Sequence, residues 1–249
     1  MEIVKLTLYH FFPHTLNLYG DRGNIICLKK RCEWRGITLE VKEINDPADV
    51  DRDGCDLFMI GGGSDREQSI ATARLESIVS EIKAWIEDGV SGLTICGGYQ
   101  FLGEYYEMKN GEKLKGMGIL PFYTKSGEDR FMSNLLVDSK PFGHIIGFEN
   151  HGGKTYHGLP TLGKVINGYG NNGQSGEEGL HYNNLIGTYL HGPVLSKNPK
   201  IADYLIGKAL ERKTGKTLEP LYDKLENEAN QSTWNRFLNK KRTKYKNEA

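Results

Sequence analysis

The sequence predicts an α/β fold in which a mostly parallel central sheet is flanked by helices, with an antiparallel section in the middle of the chain. Over about the first hundred residues, short apolar runs typical of strands alternate with runs at helical spacing. Residues 105–189 contain strand-like runs without a strong helical period, and helical spacing returns near residue 199. Alternating strands and helices favour parallel strands, whereas strands joined by turns favour antiparallel ones.

The first half of the predicted sheet begins with strands at residues 3–9 and Ile37–Ile44. Between them, the chain from Asp21 to about Trp34 has the apolar spacing of a helix, and Asp21 is expected to cap its N-terminus. This order of strand, helix and strand is the usual start of a parallel sheet.

Two short buried strands follow, and each ends in a polar or glycine-rich turn. Residues 56–60 run into the glycines at residues 61–63, and residues 93–95 end at Cys96. A helix is predicted between them, over about residues 68–88. The carboxyl ends of both strands are expected at one edge of the sheet, where ligands of open α/β sheets bind.

The middle of the chain is expected to form short antiparallel strands within the same domain, because no flexible linker separates it from the rest. Turn-forming residues divide this section at Asn110-Gly111, Ser126-Gly127, Gly152-Gly153 and Asn171-Asn172-Gly173.

A helix is predicted at about residues 199–212, and the polar tail from residue 222 is helical by propensity. The tail is either a solvated helix or a partner-binding helix built around Leu225, Trp234 and Phe237. We therefore divide the chain into a domain at residues 1–215 and a helical extension at residues 216–249.

Composition and charge exclude several classes of function. The chain has 249 residues with 32 basic and 32 acidic side chains, whereas nonspecific nucleic-acid binding needs a surplus of lysine and arginine. No apolar run reaches the ~18–20 residues of a membrane helix, and the N-terminus lacks the pattern of a signal peptide. We expect a cytoplasmic protein with no membrane span and no nucleic-acid partner. The four cysteines are expected to be reduced thiols, without a metal site.

Cys96 is the leading candidate for a catalytic residue. It ends a buried strand, is followed by Gly97 and Gly98, and leads into a helix, which is the arrangement of a nucleophile elbow. The N-terminus of that helix favours the thiolate. The alternative interpretation is a buried structural cysteine before a glycine turn.

A thiolate nucleophile also needs a base and an oxyanion site. The amide of Gly97 is one donor, and the glycine run at residues 61–63 offers a second, although that run alternatively resembles a phosphate-binding nest. His191 follows a predicted strand at residues 185–190 and is the candidate base, although a lone histidine at a loop entry is more often incidental.

Four motifs resemble one family. The run at residues 96–100 matches the C-x-G-x-Q signature of class I (triad-type) glutamine amidotransferases, which have a flavodoxin-like fold. Residues 187–192 resemble the histidine motif of the cobyric-acid-synthase-like branch. Residues 16–24 and 61–68 resemble a narrower group, the GatD-type glutaminase subunits of lipid II isoglutaminyl synthase.

The resemblance implies hydrolysis of L-glutamine through a thioester on Cys96, with His191 as base and then acid. It also implies oxyanion and substrate-binding residues, which are Gly63 and Gly97 for the oxyanion and Gln100, Arg130, Asn150 and Gly152 for glutamine. One departure is that Pro193 stands where most class I enzymes have a glutamate that orients the histidine. Either a backbone carbonyl, water, another local carboxylate or a partner's group must orient His191 instead.

The resemblance further implies that ammonia passes to a partner, a Mur-ligase-like synthetase of the MurT type, in a heterodimer. This partner would use ATP and Mg²⁺ to amidate the α-carboxyl of D-glutamate in lipid II, giving D-isoglutamine for peptidoglycan. No cofactor is expected in this chain. The alternatives are an ammonia donor for another product such as cobyrinate, an intracellular cysteine hydrolase of the same fold, and a non-catalytic binding module.

Overall fold

Two sheets and the helices around them make up the computed structural model, which describes residues 4–63, 67 and 73–238. The strands are β1 Lys5–Phe11, β2 Thr38–Ile44, β3 Leu57–Ile60, β4 Ser91–Ile95, β5 Tyr105–Glu107, β6 Lys113–Lys115, β7 Tyr123–Ser139, β8 Gly143–Tyr156, β9 Gly163–Asn167, β10 Glu177–Glu178, β11 Leu180–Tyr182 and β12 Leu185–Thr188. The helices are α1 Arg22–Glu33, α2 Val79–Glu87, α3 Gly97–Phe101, α4 Val194–Lys197, α5 Pro199–Thr214 and α6 Lys224–Leu238.

The first sheet has the strand order β11-β12-β4-β3-β1-β2, in which only the β11–β12 pair is antiparallel. Strands β3 and β4 are buried along their whole length, as expected for central strands covered on both faces. Helix α1 packs against α5, and α2 contacts the sheet through Trp85, whose ring meets those of Tyr9 and Phe58. The predicted α/β class with a mostly parallel sheet is confirmed.

The second sheet has the order β10-β9-β7-β5-β6, with β8 paired to β7. Its pairs are antiparallel except for β5 with β7, which is parallel. The chain therefore leaves the first sheet after α3 and returns to it at β11. The expected antiparallel section is a sheet of its own, packed beside the parallel one.

The expectation of short strands in this section is wrong for β7 and β8, which have 17 and 14 residues. Two of the predicted turns, at Ser126-Gly127 and Gly152-Gly153, lie inside these strands. Gly153 serves close packing instead, because a Cβ there would lie 2.4 Å from Nε2 of Gln100. A register shift between Ser126 and Phe131 is the irregularity that remains.

The described part of the helix predicted over residues 68–88 begins at residue 73 and continues through a 3-10 turn at Glu76–Ile78 into α2. The rest of that prediction lies outside the described residues. Among the described residues, no helix combines the length and apolar character needed to cross a membrane.

The polar tail forms α6, which lies against the β7–β8 hairpin. Trp234 is 5% exposed and packs with Leu136 and Ile146, while the ring of His144 stacks on its indole at 3.8 Å. Leu225, near the start of the helix, is 76% exposed. The apolar side of the helix near Trp234 is thus buried within this chain.

Candidate active site at the carboxyl edge of the parallel sheet

Cys96 occupies the turn between β4 and α3. Its backbone has φ +51° and ψ −107°, a conformation that residues other than glycine rarely adopt. Its N–H donates to the carbonyl of Thr188 at 2.8 Å. A Cβ on Gly98 would lie 2.5 Å from the carbonyl oxygen of Ile60, so the helix can approach β3 only because residue 98 is glycine. This is the strand–turn–helix geometry of a nucleophile elbow.

His191 is brought to the same place by the second sheet. Its backbone forms an antiparallel bridge with Phe148 of β8, through N–H to O bonds of 2.7 and 3.2 Å. A Cβ on Gly62 would lie 3.2 Å from Cβ of Cys96 and 3.5 Å from Cε1 of His191. The glycine therefore lies against both side chains and leaves the space between them open.

Asp21 lies on the far side of the imidazole. One of its carboxylate oxygens accepts the N–H of Gly62 at 2.8 Å, and the other lies 3.5 Å from Nδ1 of His191. Both Asp21 and His191 are fully buried. Asp21 is the N-cap residue of α1, as expected, but its side chain makes no hydrogen bond to the helix and is directed instead toward the sheet edge.

These contacts determine the protonation of the histidine. Burial lowers the pKa of His191, but its hydrogen bonds with the side chains of Asp21 and Cys96 raise it more, to about 9. The imidazole is therefore protonated at neutral pH. The protonated imidazole places a proton donor beside Cys96, as in other cysteine–histidine pairs.

The two candidate oxyanion residues lie just after the paired strands β3 and β4. Gly97 is the first residue of α3, directly after Cys96. Gly63 follows Gly62 in the loop after β3, and a Cβ there would lie 2.5 Å from Cδ2 of Leu16. Their role as oxyanion donors stays a prediction. Residues 64–66 and 68 of the second family motif lie outside the described residues.

Gln100 is turned into the protein. Its Nε2 donates to the hydroxyl of Tyr189 at 3.0 Å, and that hydroxyl lies 2.6 Å from Oγ1 of Thr155. The ring of Tyr189 stacks on the ring of His151 at 3.6 Å. The amide of Gln100 thus supports the chain just before His191, and its contact with glutamine stays a prediction.

Arg130 and Asn150 form a pair on the β7–β8 hairpin. Nε of Arg130 donates to Oδ1 of Asn150, and Nη2 donates to the Asn150 carbonyl at 3.2 Å. Arg130 is exposed, and a Cβ on Gly152 would meet nothing within 4 Å. Asn150 lies two residues after Phe148 on β8, the strand that is bridged to His191, whereas Arg130 lies on β7.

The residue that sequence reasoning missed is the carboxylate opposite His191. The absence of a glutamate at Pro193 left open which group orients His191, and Asp21 was interpreted only as the cap of a helix. Within the described part of the chain, no group of three or more histidine, cysteine, aspartate or glutamate side chains could hold a metal ion.

Comparison with known proteins identifies relatives over most of the chain. Residues 7–199 match the model of the CobB/CobQ-like glutamine amidotransferase domain. The GatD subunit of glutamine-hydrolysing lipid II isoglutaminyl synthase from Staphylococcus aureus (strain N315) is 54% identical over 225 residues, which cover 90% of this chain and 91% of that protein. The GatD subunit from Streptococcus pneumoniae (strain ATCC BAA-255 / R6) is 36% identical, covering 88% and 86%.

A solved structure has the same fold at low identity. A crystal structure of a glutamine amidotransferase matches with a TM-score of 0.54 and 16% identity, over 83% of this chain and 98% of that one. At this identity, the similarity between the two proteins concerns the fold alone.

Proposed function

This chain belongs to the CobB/CobQ-like glutamine amidotransferase family, and on that premise we propose that it is the glutaminase subunit of a lipid II isoglutaminyl synthase. The observation that carries this proposal is the similarity to the two GatD subunits over nearly their whole length. The substrate is L-glutamine, and the reaction yields glutamate and ammonia.

The acceptor of the ammonia is the α-carboxyl of D-glutamate in the lipid II stem peptide, which is amidated to D-isoglutamine during peptidoglycan synthesis. A Mur-ligase-like synthetase of the MurT type forms a heterodimer with this chain and activates that carboxyl with ATP and Mg²⁺. The division of labour follows from chemistry, because amide formation from a carboxylate needs activation and glutamine hydrolysis does not.

Catalysis starts from a Cys96–His191 pair in which the proton of the thiol lies on the imidazole. The sulfur attacks the γ-carboxamide carbon of glutamine, and the amides of Gly63 and Gly97 stabilise the resulting oxyanion. His191 donates its proton to the leaving nitrogen, so that ammonia departs and a γ-glutamyl thioester remains on Cys96. Neutral His191 then accepts a proton from water, which cleaves the thioester and releases glutamate.

During these catalytic steps, Asp21 orients the imidazole of His191 and stabilises its positive charge. With Nδ1 directed at the carboxylate, the other ring nitrogen, Nε2, is left for proton transfer at the sulfur. Arg130 is well shaped to bind the α-carboxylate of glutamine, because a guanidinium presents paired donors and Asn150 already fixes two of its nitrogens.

Replacement of the nucleophile tests the proposal. Cys96→Ala should abolish glutamine-dependent amidation of lipid II by the heterodimer, measured by mass spectrometry, while ammonium salts restore it. Cys27→Ser, which alters a partly exposed thiol on α1, is the matched control and should keep glutamine-dependent activity. Full glutaminase activity in Cys96→Ala, or no rescue by ammonium in a folded complex, would contradict the proposal.

Two further measurements separate the alternatives. Covalent labelling of Cys96 by 6-diazo-5-oxo-norleucine distinguishes a glutaminase from a binding module, and peptide substrates distinguish it from a cysteine hydrolase. The identity of the synthetase that co-purifies distinguishes lipid II from cobyrinate or another acceptor.

A further inference from the structure

Glu178 is a buried carboxylate that the mechanism above does not use. It ends β10 in the second sheet and is fully buried, whereas its neighbour Glu177 is exposed. The next residue, Gly179, has φ +61°, and a Cβ there would lie 2.4 Å from the carbonyl oxygen of Gly187. Glu178 therefore lies at the tight crossing where the chain passes from the second sheet to the first.

Its carboxylate binds the segment that leads to the catalytic histidine. Oε1 of Glu178 accepts the hydroxyl of Thr188 and the backbone N–H of Tyr189, both at 2.7 Å. The hydroxyl oxygen of Thr188 in turn accepts the N–H of Leu190 at 3.0 Å. One carboxylate oxygen and one hydroxyl thus fix three consecutive residues, from Thr188 at the end of β12 to Leu190.

Thr188 is also the residue that holds the nucleophile. Its carbonyl accepts the N–H of Cys96, whose strained backbone conformation needs such support. On the other side of this segment, His191 is bridged to Phe148. The contacts of Glu178 thus lie between the anchor of the thiol and the anchor of the imidazole.

We propose that Glu178 is a positioning residue, which sets the distance between Cys96 and His191 by fixing Thr188 and Tyr189. The inference rests on the glutaminase function proposed above and adds a residue to it. Glu178 does not touch the reacting atoms, so it acts only through the backbone that it holds.

The energetic setting agrees with this role. Burial, with a smaller contribution from the nearby Glu149 carboxylate, raises the pKa of Glu178 to about 7, while its bonds to Thr188 and Tyr189 lower it. A buried carboxylate is costly, and leaving its two donors unpaired is costly as well. A glutamine at this position keeps an acceptor oxygen for both donors, whereas a leucine leaves them without one.

The test compares Glu178→Gln and Glu178→Leu with the parent chain in the intact heterodimer. Active sites are counted by labelling with 6-diazo-5-oxo-norleucine, and kcat is expressed per labelled site. A loss of folded protein therefore does not change the measured kcat. We expect Glu178→Leu to lower kcat about 10- to 100-fold with KM for glutamine changed less than about twofold, because small misplacements of reacting groups cost rate in this range. Glu178→Gln should stay within about threefold of the parent.

Thr188→Val is the second variant, because it keeps the side-chain shape and removes the hydroxyl between Glu178 and Leu190. Like Glu178→Leu, it should lower kcat. Ser139→Ala is the control, since it deletes another buried hydrogen bond of the second sheet, from Ser139 to the Leu162 carbonyl. It should leave kcat per site unchanged.

An unchanged kcat per site in Glu178→Leu, or an equal loss in Glu178→Gln, would overturn the positioning role. If the parent chain hydrolyses no glutamine, the proposed glutaminase function is wrong. If the parent is active and only the variants give the contrary result, the positioning role of Glu178 is wrong.

Discussion

The proton on His191 is the residue-scale feature on which the chemistry depends. Its pKa rises to about 9 even though burial alone lowers it, because Asp21 and Cys96 both bond to the imidazole. The histidine can therefore hold the proton that the leaving ammonia takes up. A histidine without these partners would be largely neutral in so buried a position.

Asp21→Asn should move the alkaline limit of the reaction. Asparagine keeps an acceptor for the Gly62 N–H but removes the negative charge, so the pKa of His191 should fall from about 9. Since activity is lost where His191 gives up its proton, the alkaline limb of the kcat profile should shift to lower pH. A fall in kcat of about 10- to 100-fold is expected at neutral pH.

The measurement is glutaminase kcat between pH 6 and 10, with Asp138→Asn, an exposed carboxylate on β7, as the control. An alkaline limb that stays in place in Asp21→Asn would show that Asp21 does not set the protonation of His191.

At the scale of elements, the β7–β8 hairpin connects the tail to the active site. Strand β8 contributes Phe148 and Asn150 near the catalytic pair and Ile146 to the cluster around Trp234. Helix α6 is held there by Trp234 and by Asn230, whose amide donates to the carbonyl oxygens of Lys197 and His144. The helix therefore belongs to the surface of this hairpin.

Trp234→Ala should release α6 from the hairpin. Removing a buried indole costs about 3 kcal/mol, which is enough to undock a polar helix that has few other apolar contacts. Hydrogen exchange should show loss of amide protection in α6 with protection of β1 and β4 unchanged. Leu225→Ala, at a side chain that is 76% exposed, should leave protection as it is. Full protection of α6 in Trp234→Ala would contradict the importance of this contact.

At the scale of the whole molecule, a chain with a formal net charge of zero is proposed to release ammonia from glutamine. Ammonia that escapes into water near neutral pH is protonated and loses its nucleophilicity. The proposed heterodimer is therefore expected to enclose the path from Cys96 to the acceptor in a channel or a shared cavity.

An isotope experiment tests this enclosure. The heterodimer is supplied with glutamine carrying ¹⁵N in its amide and with an equal concentration of unlabelled ammonium. The amide of D-isoglutamine in the product should carry almost only ¹⁵N, measured by mass spectrometry. A ¹⁵N fraction in the product close to that of the mixed labelled and unlabelled ammonia would show that ammonia passes through solvent. The Cys96→Ala complex, which can use only the ammonium, gives the unlabelled reference.

The sequence by itself determined the order of strands and helices and identified two candidate catalytic side chains. Local signals suffice for these, because apolar periodicity reports on burial and because Cys96 and His191 each follow an apolar strand directly. The mostly parallel sheet follows from the same alternation. The length of β7 and β8 could not be predicted from the sequence, because a glycine that allows close packing has the same local signature as one that forms a turn.

Only the tertiary structure decided what surrounds the candidate catalytic pair, Cys96 and His191. Asp21 is distant in sequence from Gly62 and His191, and Glu178 reaches from the second sheet to Thr188 in the first. Each of these residues has an ordinary local interpretation. Their roles depend on which strand ends meet at the sheet edge and on how the second sheet crosses back to the first. Such contacts form between elements, so no pattern within one element specifies them.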